Sequence, residues 1–260
     1  MYFRSAKKET VDKMSVFTRV VYKIGYKVYD LLGFSKNTLD VQAFEKQKEF
    51  ISEKQAKIIF DIGARHGGIT MQYREMYPKA KIYSFEPFPK SYNELLKKIV
   101  NDKENIIPVN LGISDKSGKT NFYVNEHDFT NSLLPSHPSE TMVDNMTANK
   151  TQIEITTTTI DEFAEHNNID RINILKFDIQ GGELKALNGA KKMLSENRIS
   201  LIYTEVLFMK MYEGQPYYHD ISAFLYNHGY ELINIFNPWY IDGRLAWADA
   251  LFVNSKSMKK

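Results

Sequence analysis

The chain has 260 residues, of which 43% are hydrophobic and 25% charged, and its formal net charge at pH 7 is +2. A charge this small gives no reason to expect nucleic-acid binding, and the absence of cysteine excludes disulfides and thiolate metal sites. The best candidate for a membrane span, residues 16–34, carries four charged side chains, so no span is predicted. The start of the chain lacks the pattern of a cleavable signal, and we expect a cytoplasmic protein.

Residues 1–50 are predicted to form a helical extension, distinct from a main domain over residues 51–260. Residues 1–36 contain eight Lys or Arg against three Asp or Glu. Apolar side chains recur at helical spacing from Val16 to Leu31. We favour a helix that caps the core or packs in a homo-oligomer. The alternative is a basic amphipathic helix that makes a peripheral contact with an anionic membrane.

From about Lys57 onward, short apolar runs alternate with segments of helical periodicity. This alternation predicts βαβ units and a parallel sheet with helices on both faces. The predicted strands span 57–63, 80–87, 105–113, 172–180 and 199–206, and the predicted helices span 68–78, 90–102, 183–197 and 218–228. Two last strands, 230–236 and 248–254, predict a closing antiparallel pair around a turn-rich segment.

Residues 125–151 are polar, lack periodicity and are long for a connection inside a compact domain. We interpret this segment as a substrate loop or lid. A flexible insertion without function is the alternative.

The first chemical motif is a strand that runs into a glycine turn and then a helix, IIFDIGARHGGITMQY. The dinucleotide fingerprint fails here because Arg65 stands where the second glycine should approach a pyrophosphate. The pattern that fits is Asp-x-Gly-x-x-x-Gly, formed by Asp61, Gly63 and Gly67, with Ala64 in the same turn. Such a turn suits S-adenosylmethionine, whose carboxylate would face the helix start and whose ammonium group Asp61 would orient.

A second acidic residue, Glu86, follows the second predicted strand. A carboxylate at this place can accept hydrogen bonds from both ribose hydroxyls, in nicotinamide enzymes as well as in methyltransferases. Asn110 and Gly112 follow the third predicted strand, near the place expected for the adenine, and are further candidates for cofactor binding.

The third motif, ILKFDIQGGELKALNGA, places Asp178 at a strand end and Glu183 in the first turn of a helix. Glu205 ends the next predicted strand. Carboxyl ends of parallel strands face the ligand crevice, so we expect these three acids in the catalytic part of the site, with Asp178 or Glu205 orienting or deprotonating an acceptor hydroxyl. An equally simple interpretation makes Glu183 a first-turn acid favoured by the helix dipole.

Histidines are weaker candidates for the base; the relevant ones are His66, His137 and His219. No metal site is predicted, because no histidine or cysteine has ligand spacing; a carboxylate Mg²⁺ site at the three acids is the weaker alternative.

In this order and spacing, FDIGARHGGIT, YSFEPFP, NLGISDKSGKTNFYV, TTTTIDEF and LKFDIQGGELKALNGA resemble the FkbM-type methyltransferase family over roughly Ile58 to Phe252. The resemblance implies a Rossmann-like, class I methyltransferase sheet of seven mostly parallel strands with an antiparallel C-terminal hairpin. It also implies S-adenosylmethionine as cofactor and O-methylation of a small or glycan acceptor, such as a sugar, a polysaccharide or a polyketide. By position, Asp61, Gly63 and Gly67 become the cofactor turn and Glu86 the ribose ligand.

Two positions depart from the family pattern. The family commonly has an acid where this chain has Gln180, and asparagine where this chain has Arg65. Three alternatives to the glycan O-methyltransferase stay open. They are a non-catalytic scaffold docked to a membrane or enzyme complex, a nicotinamide oxidoreductase, and an RNA methyltransferase. The RNA methyltransferase is disfavoured because the chain lacks, at a strand end, the asparagine-proline signature that is common in base methyltransferases.

Overall fold

The computed structural model describes residues 37–137 and 149–257. The chain divides into two units, residues 1–44 and 45–260, and the β-sheets belong to the second. The helix predicted around Val16–Leu31 lies outside the described residues, as does the part of the predicted lid over residues 138–148. The predicted domain boundary between residues 50 and 51 stays a prediction.

The described strands and helices follow one another in chain order. The strands are β1 (Ile58–Ile62), β2 (Lys81–Phe85), β3 (Ile106–Val109), β4 (Gly112–Ile113), β5 (Gly118–Asn125), β6 (Asn149–Thr158), β7 (Ile172–Phe177), β8 (Ile199–Leu207), β9 (Tyr230–Ile241) and β10 (Arg244–Asn254). The helices are α1 (Asn37–Phe50), α2 (Gly68–Met76), α3 (Pro89–Lys98), α4 (Ile160–His166), α5 (Glu183–Asn188), α6 (Lys191–Ser195) and α7 (Tyr218–Asn227), with a short 3₁₀ turn at Asp128–Thr130.

Within the described residues, seven strands form one sheet in the spatial order β3-β2-β1-β7-β8-β10-β9. Neighbouring strands are parallel except that β10 runs antiparallel to both β8 and β9. The predicted parallel sheet with a closing antiparallel hairpin is confirmed. The strand order reverses between β1 and β7, and ligand crevices in open α/β sheets form outside the carboxyl ends at such a reversal.

The two faces of the central strands differ in chemistry because side chains alternate along a strand. One face buries large apolar residues, including Phe60, Phe85 and Phe177, against helices α4 to α7. The ring of Phe163 in α4 packs edge-on against Phe60 and Phe85 at centroid distances of 5.7 and 4.8 Å. This packing fixes the strands, and therefore fixes which polar side chains occupy the opposite face.

The helix predicted over 183–197 is instead two helices, α5 and α6, separated at Gly189. A Cβ on Gly189 would lie 2.2 Å from the Ser114 carbonyl oxygen, so the glycine permits a close backbone approach that a longer helix would not. The Asp161 carboxylate then accepts hydrogen bonds from the Lys192 and Met193 N–H groups, at 2.9 and 3.0 Å, and caps α6.

A further correction concerns the third predicted strand and the predicted lid. Residues 105–113 form two strands, because β3 joins the main sheet and β4 pairs with β6 in a three-stranded sheet of order β4-β6-β5 within the described residues. That sheet was missed, although the alternating, threonine-rich segment TQIEITTTT is typical of a strand. Residues 131–137 of the predicted lid continue from the 3₁₀ turn and pack against the main domain, where Asn131, Ser132 and Leu134 are buried.

The C-terminal hairpin is longer than predicted, because β9 and β10 extend to a tight turn at Asp242 and Gly243, both with positive φ. The pairing shifts register near Asn237, which also has a positive φ, and this bulge accommodates Pro238. Among the described residues, no helix has the length and apolar character needed to cross a membrane.

The close approach of the Ser114 carbonyl to Gly189 leads to a prediction about stability. Gly189→Ala should lower the free energy of unfolding by about 1–3 kcal/mol, because the added methyl group must displace backbone. Gly68→Ala is the matched control, since a Cβ there meets nothing within 4 Å among the described residues. Urea denaturation of both variants measures the difference, and equal midpoints would contradict the packing argument.

Candidate active site

A buried ion pair lies under the crevice, between Asp61 of β1 and Lys176 of β7. The two residues are direct partners in the parallel ladder, and Lys176 Nζ lies 3.2 Å from Asp61 Oδ1. Asp61 is 0% and Lys176 4% exposed. Burial lowers the pKa of Lys176, but the Asp61 carboxylate and then that of Asp178 raise it more, so the net pKa is above its ordinary value and the amine is charged.

The other Asp61 oxygen, Oδ2, accepts a hydrogen bond of 2.6 Å from Thr70 in α2. Lys176 Nζ also donates to the Gly63 carbonyl at 3.3 Å. The ion pair therefore joins strand, glycine turn and helix. Sequence analysis placed Asp61 at the cofactor, whereas its carboxylate lies beneath the turn; its role toward a ligand stays a prediction.

The glycine turn is a tight reversal held by the neighbouring strand. The N–H groups of Gly63 and Ala64 both donate to the Phe85 carbonyl, at 3.0 and 2.9 Å. Gly63 has φ +79°, and a Cβ there would lie 1.9 Å from the Asp178 carbonyl oxygen, so the position requires glycine. Gly67, with φ +77°, precedes α2 and carries no side chain to cap that helix, which leaves first-turn N–H donors for a ligand.

Glu86 sits directly beside this turn, just beyond β2. Its Oε2 accepts from the Arg65 N–H and its Oε1 from the Phe88 N–H, both at 2.8 Å. Burial raises the pKa of Glu86 to about 7, although these two backbone hydrogen bonds oppose the shift. Each carboxylate oxygen keeps acceptor capacity for a further donor.

Asn110, just after β3, and Gly112, at the start of β4, lie at the same edge of the site. The Asn110 amide donates to the carbonyls of Glu86 and Pro87, at 2.8 and 3.2 Å, and so fixes the loop that carries Glu86. Gly112 lies in β4, where a Cβ would lie 3.0 Å from Ile155 Cδ1. Their predicted contacts with the cofactor stay predictions.

Across the crevice, Asp178 and Glu205 are brought together by a side chain that the motif analysis treated as a departure. Gln180 Nε2 donates to Asp178 Oδ1 at 2.9 Å and to Glu205 Oε2 at 2.8 Å. Asp178 is 47% exposed, while Glu205 is partly buried. Burial, followed by the charges of Asp178 and Glu183, raises the pKa of Glu205 well above its ordinary value.

Glu183 is 1% exposed in the first turn of α5, and its Oε1 accepts from the Ile179 N–H at 3.0 Å. Burial raises its pKa to about 7, against the effect of backbone hydrogen bonds. The carboxylate is thus engaged with its own turn, as in the simpler interpretation of this residue, and its catalytic role stays a prediction.

The segment after β5 closes one side of the site. Asp128 pairs with the Arg65 guanidinium and, at 3.0 Å, with His66 Nε2, and Arg65 lies 5.5 Å from the Phe129 ring centroid. Burial raises the pKa of Asp128, but its hydrogen bond and ion pair with Arg65, followed by His66, bring it below its ordinary value. These contacts attach the glycine turn to the described part of the predicted lid.

Two of the histidines considered as bases have acidic partners of their own: His137 pairs with Glu213, and His219, exposed at the start of α7, lies 3.5 Å from Asp220. Among the described residues, no group of three or more His, Cys, Asp or Glu side chains is arranged to hold a metal ion. The expectation that the site uses no metal stays a prediction.

Sequence reasoning missed several residues that shape the site; these are Lys176, Asp128, Ser132 and Tyr212. Lys176 offered a signal, since a charge inside an apolar strand needs a buried partner. The others lie in segments without periodicity, and their contacts depend on tertiary structure.

A model of the methyltransferase FkbM domain matches residues 61–232. The chain belongs to this methyltransferase family. The matched range begins at Asp61 and includes the glycine turn, Glu86 and the Asp178–Glu205 pair, so the matched domain contains the site described above.

Two relatives and one solved structure are similar to this chain. The 2-O-methyltransferase NoeI of Sinorhizobium fredii is 26% identical over 198 residues, which is 70% of this chain and 76% of the relative. The hexuronic acid methyltransferase AglP of Haloferax volcanii is 25% identical over 130 residues, which is 49% of this chain and 48% of the relative. The crystal structure of a methyltransferase FkbM from Methylobacillus flagellatus superposes with a TM-score of 0.51 at 16% identity, covering 76% of this chain and 43% of the other. This last likeness concerns the fold, and the predicted class I methyltransferase sheet is confirmed.

The buried ion pair predicts that replacing Lys176 lowers the free energy of unfolding far more than replacing an exposed lysine does. Lys176→Met should destabilise the fold by about 3–5 kcal/mol, because Asp61 would remain as an uncompensated buried charge. Lys119→Met is the matched control, since Lys119 pairs with Glu154 at 2.7 Å where the side chains are 72% and 60% exposed. Thermal and urea unfolding should show a far smaller change for the control; equal losses would contradict the importance assigned to Lys176.

Proposed function

We propose that this protein is an S-adenosylmethionine-dependent O-methyltransferase that transfers a methyl group to a hydroxyl of a glycan or other small hydroxylated acceptor. The observation that carries the proposal is the arrangement of two acidic centres around the strand-order reversal. Glu86 and the glycine turn lie on the β1–β2 side, and Asp178 and Glu205 on the β7–β8 side.

The cofactor side fits a nucleoside fused to an amino acid. The uncapped start of α2 offers N–H donors to a carboxylate. Glu86, with acceptor capacity on both oxygens, suits the two hydroxyls of a ribose. When bound, S-adenosylmethionine supplies an electrophilic methyl group, which a hydroxyl oxygen takes while the carbon–sulfur electron pair returns to sulfur.

The acceptor side supplies a base. A neutral hydroxyl is a poor nucleophile, so a carboxylate that takes its proton promotes the transfer. Asp178 is exposed to the crevice, and Glu205 has a raised pKa that makes it a stronger base when ionised. We propose that one of this pair accepts the proton and that the other orients the hydroxyl.

A sugar is favoured as the acceptor by the side chains beyond Glu205. A cavity of about 310 Å³ lies at the end of β8 and the start of α7, lined by Leu207, Phe208, Tyr217, Tyr218 and His219. Aromatic walls with polar tips suit a ring that has apolar faces and hydroxylated edges. The relatives NoeI and AglP are named as a 2-O-methyltransferase and a hexuronic acid methyltransferase, which agrees with this choice. A role in polysaccharide biosynthesis belongs to the same proposal.

The remaining expectations stay predictions: a cytoplasmic location, a peripheral membrane contact or homo-oligomer through the first 50 residues, and no nucleic-acid partner. Membership of a methyltransferase family weighs against the nicotinamide oxidoreductase. A non-catalytic scaffold and an RNA methyltransferase remain as rivals. The scaffold predicts no methyl transfer to any acceptor, and the RNA methyltransferase predicts transfer to RNA.

The first experiment is calorimetric binding of S-adenosylhomocysteine, with NAD as the rival ligand. We expect micromolar binding of the former, no signal from the latter, and loss of binding in Glu86→Ala. Since hydroxyl donors favour the ionised carboxylate and the Glu86 pKa is about 7, affinity should fall by up to about tenfold per unit as the pH drops below 7. Glu104→Ala, at an exposed position, is the control; binding of NAD alone would refute the proposal.

A methyl-transfer assay tests whether Asp178 or Glu205 acts as the base. In a methyl-transfer assay with mono- and oligosaccharide acceptors, Asp178→Asn and Glu205→Gln should each retain the affinity for S-adenosylhomocysteine. At least one of them should lose about a hundredfold or more in kcat. Glu154→Gln, an exposed charge removal in β6, should be unaffected. If both site variants keep more than about a tenth of normal turnover, neither carboxylate acts as proposed.

A further inference from the structure

Gln180 occupies the space between the two carboxylates of the acceptor side, and all of its side-chain polar atoms are engaged. Its amide nitrogen has two hydrogens, and it lies within hydrogen-bond distance of both Asp178 and Glu205. Its Oε1 and the Thr130 carbonyl oxygen share the single hydrogen of the Tyr212 hydroxyl, at 2.8 and 3.0 Å. While both carboxylates are ionised they accept hydrogen bonds and cannot donate them, and in that state the amide nitrogen of Gln180 is the group that faces Asp178 and Glu205.

The backbone holds this side chain in an unusual position. Gln180 has φ +56°, in the left-handed region that side chains other than glycine, asparagine and aspartate seldom adopt, and Gly181 follows with φ +90°. The Gln180 carbonyl accepts a hydrogen bond of 2.7 Å from Ser132 Oγ, which comes from the segment after β5. Residues in such conformations persist when their surroundings fix them, and they concentrate at functional sites.

We propose that Gln180 is a positioning residue that holds Asp178 and Glu205 together through one N–H donor to each, and thereby sets how readily this pair takes up a proton. The proposal rests on the function proposed above. Both of its amide hydrogens already have acceptors, so it acts through the two carboxylates and need not donate to the acceptor.

Charged and titratable groups approach this pair from several elements. They are Lys176 on β7, Glu183 on α5, Asp249 on β10 and Tyr212 in the loop before α7. Apart from Lys176, the ionisable groups in this set are anionic or neutral, and the amide hydrogens of Gln180 offset part of the repulsion between the two nearest carboxylates. Removing those donors should therefore favour the protonated form of the pair.

Carboxyl-detected ¹³C NMR titration of the full chain tests this directly and requires no acceptor. Gln180→Glu keeps the side-chain length but replaces both donors by a third carboxylate. The Glu205 or Asp178 titration, assigned with Glu205→Gln and Asp178→Asn, should move upward by about one pH unit or more. Gln152→Glu adds the same charge at an exposed position of β6 and should leave both titrations unchanged.

Two further variants separate positioning from structure. Gln180→Asn suits the left-handed backbone better but shortens the reach, so we expect an upward shift without loss of stability. Gln180→Met removes the donors without adding charge, and it replaces Gln180→Glu if the latter fails to fold. Unchanged titrations in folded variants would overturn the proposal.

The assay of methyl transfer then distinguishes the two proposals. If the wild-type chain is active, the acidic limb of its pH profile should move in Gln180→Glu in the same direction as the NMR titration. If the acidic limb of the pH profile does not move in Gln180→Glu and turnover is unchanged, the proposed role of Gln180 in the reaction is overturned. Shifted titrations in a chain that methylates no acceptor would refute the proposed function and leave the hydrogen-bonded pairing of the carboxylates supported.

Discussion

Asp61 and Lys176 face each other across β1 and β7 at the point where the strand order reverses, and both charges are buried. A buried charge is tolerated only with a partner, so the pair requires these two strands to keep their register. The Lys176 amine also reaches the Gly63 carbonyl, and Asp61 reaches Thr70 in α2. The strand register, the glycine turn and the helix start are therefore coupled, and any ligand held at the turn depends on this pair.

Burial raises the pKa of a carboxyl group on each side of the crevice, but the neighbouring groups differ. Glu86 is buried but accepts hydrogen bonds from two backbone N–H groups, so its pKa is about 7 and its charge state can change when a ligand binds. Glu205 is enclosed among other acids, and its pKa is raised further by their charges. Gln180 supplies the neutral donors between Asp178 and Glu205 that an acidic residue at that position would lack. This difference in chemistry makes the departure from the common family motif compatible with an organised site.

Family membership and acceptor identity rest on different parts of the molecule. The family match spans residues 61–232 and includes both sides of the crevice. In the proposed function, the acceptor is assigned to the cavity beside α7 and to the segment after β5, which the Arg65–Asp128 pair attaches to the glycine turn. Loops on a fixed scaffold commonly determine the substrate, so relatives at about 25% identity can share the reaction type and differ in acceptor.

The sequence by itself determined the alternation of strands and helices and the acids at strand ends, because periodicity is local and the carboxyl ends of parallel strands meet at one edge. Asp61, Glu86 and Asp178 could be placed at the site for this reason. The break at Gly189 and the double hydrogen bond of Gln180 were decided only by the tertiary structure. Each depends on a segment distant in the chain: Ser114 approaches Gly189, and Glu205 approaches Gln180. A buried polar group takes whichever partner the packing of strands brings within 3 Å or so, and no local pattern specifies that partner.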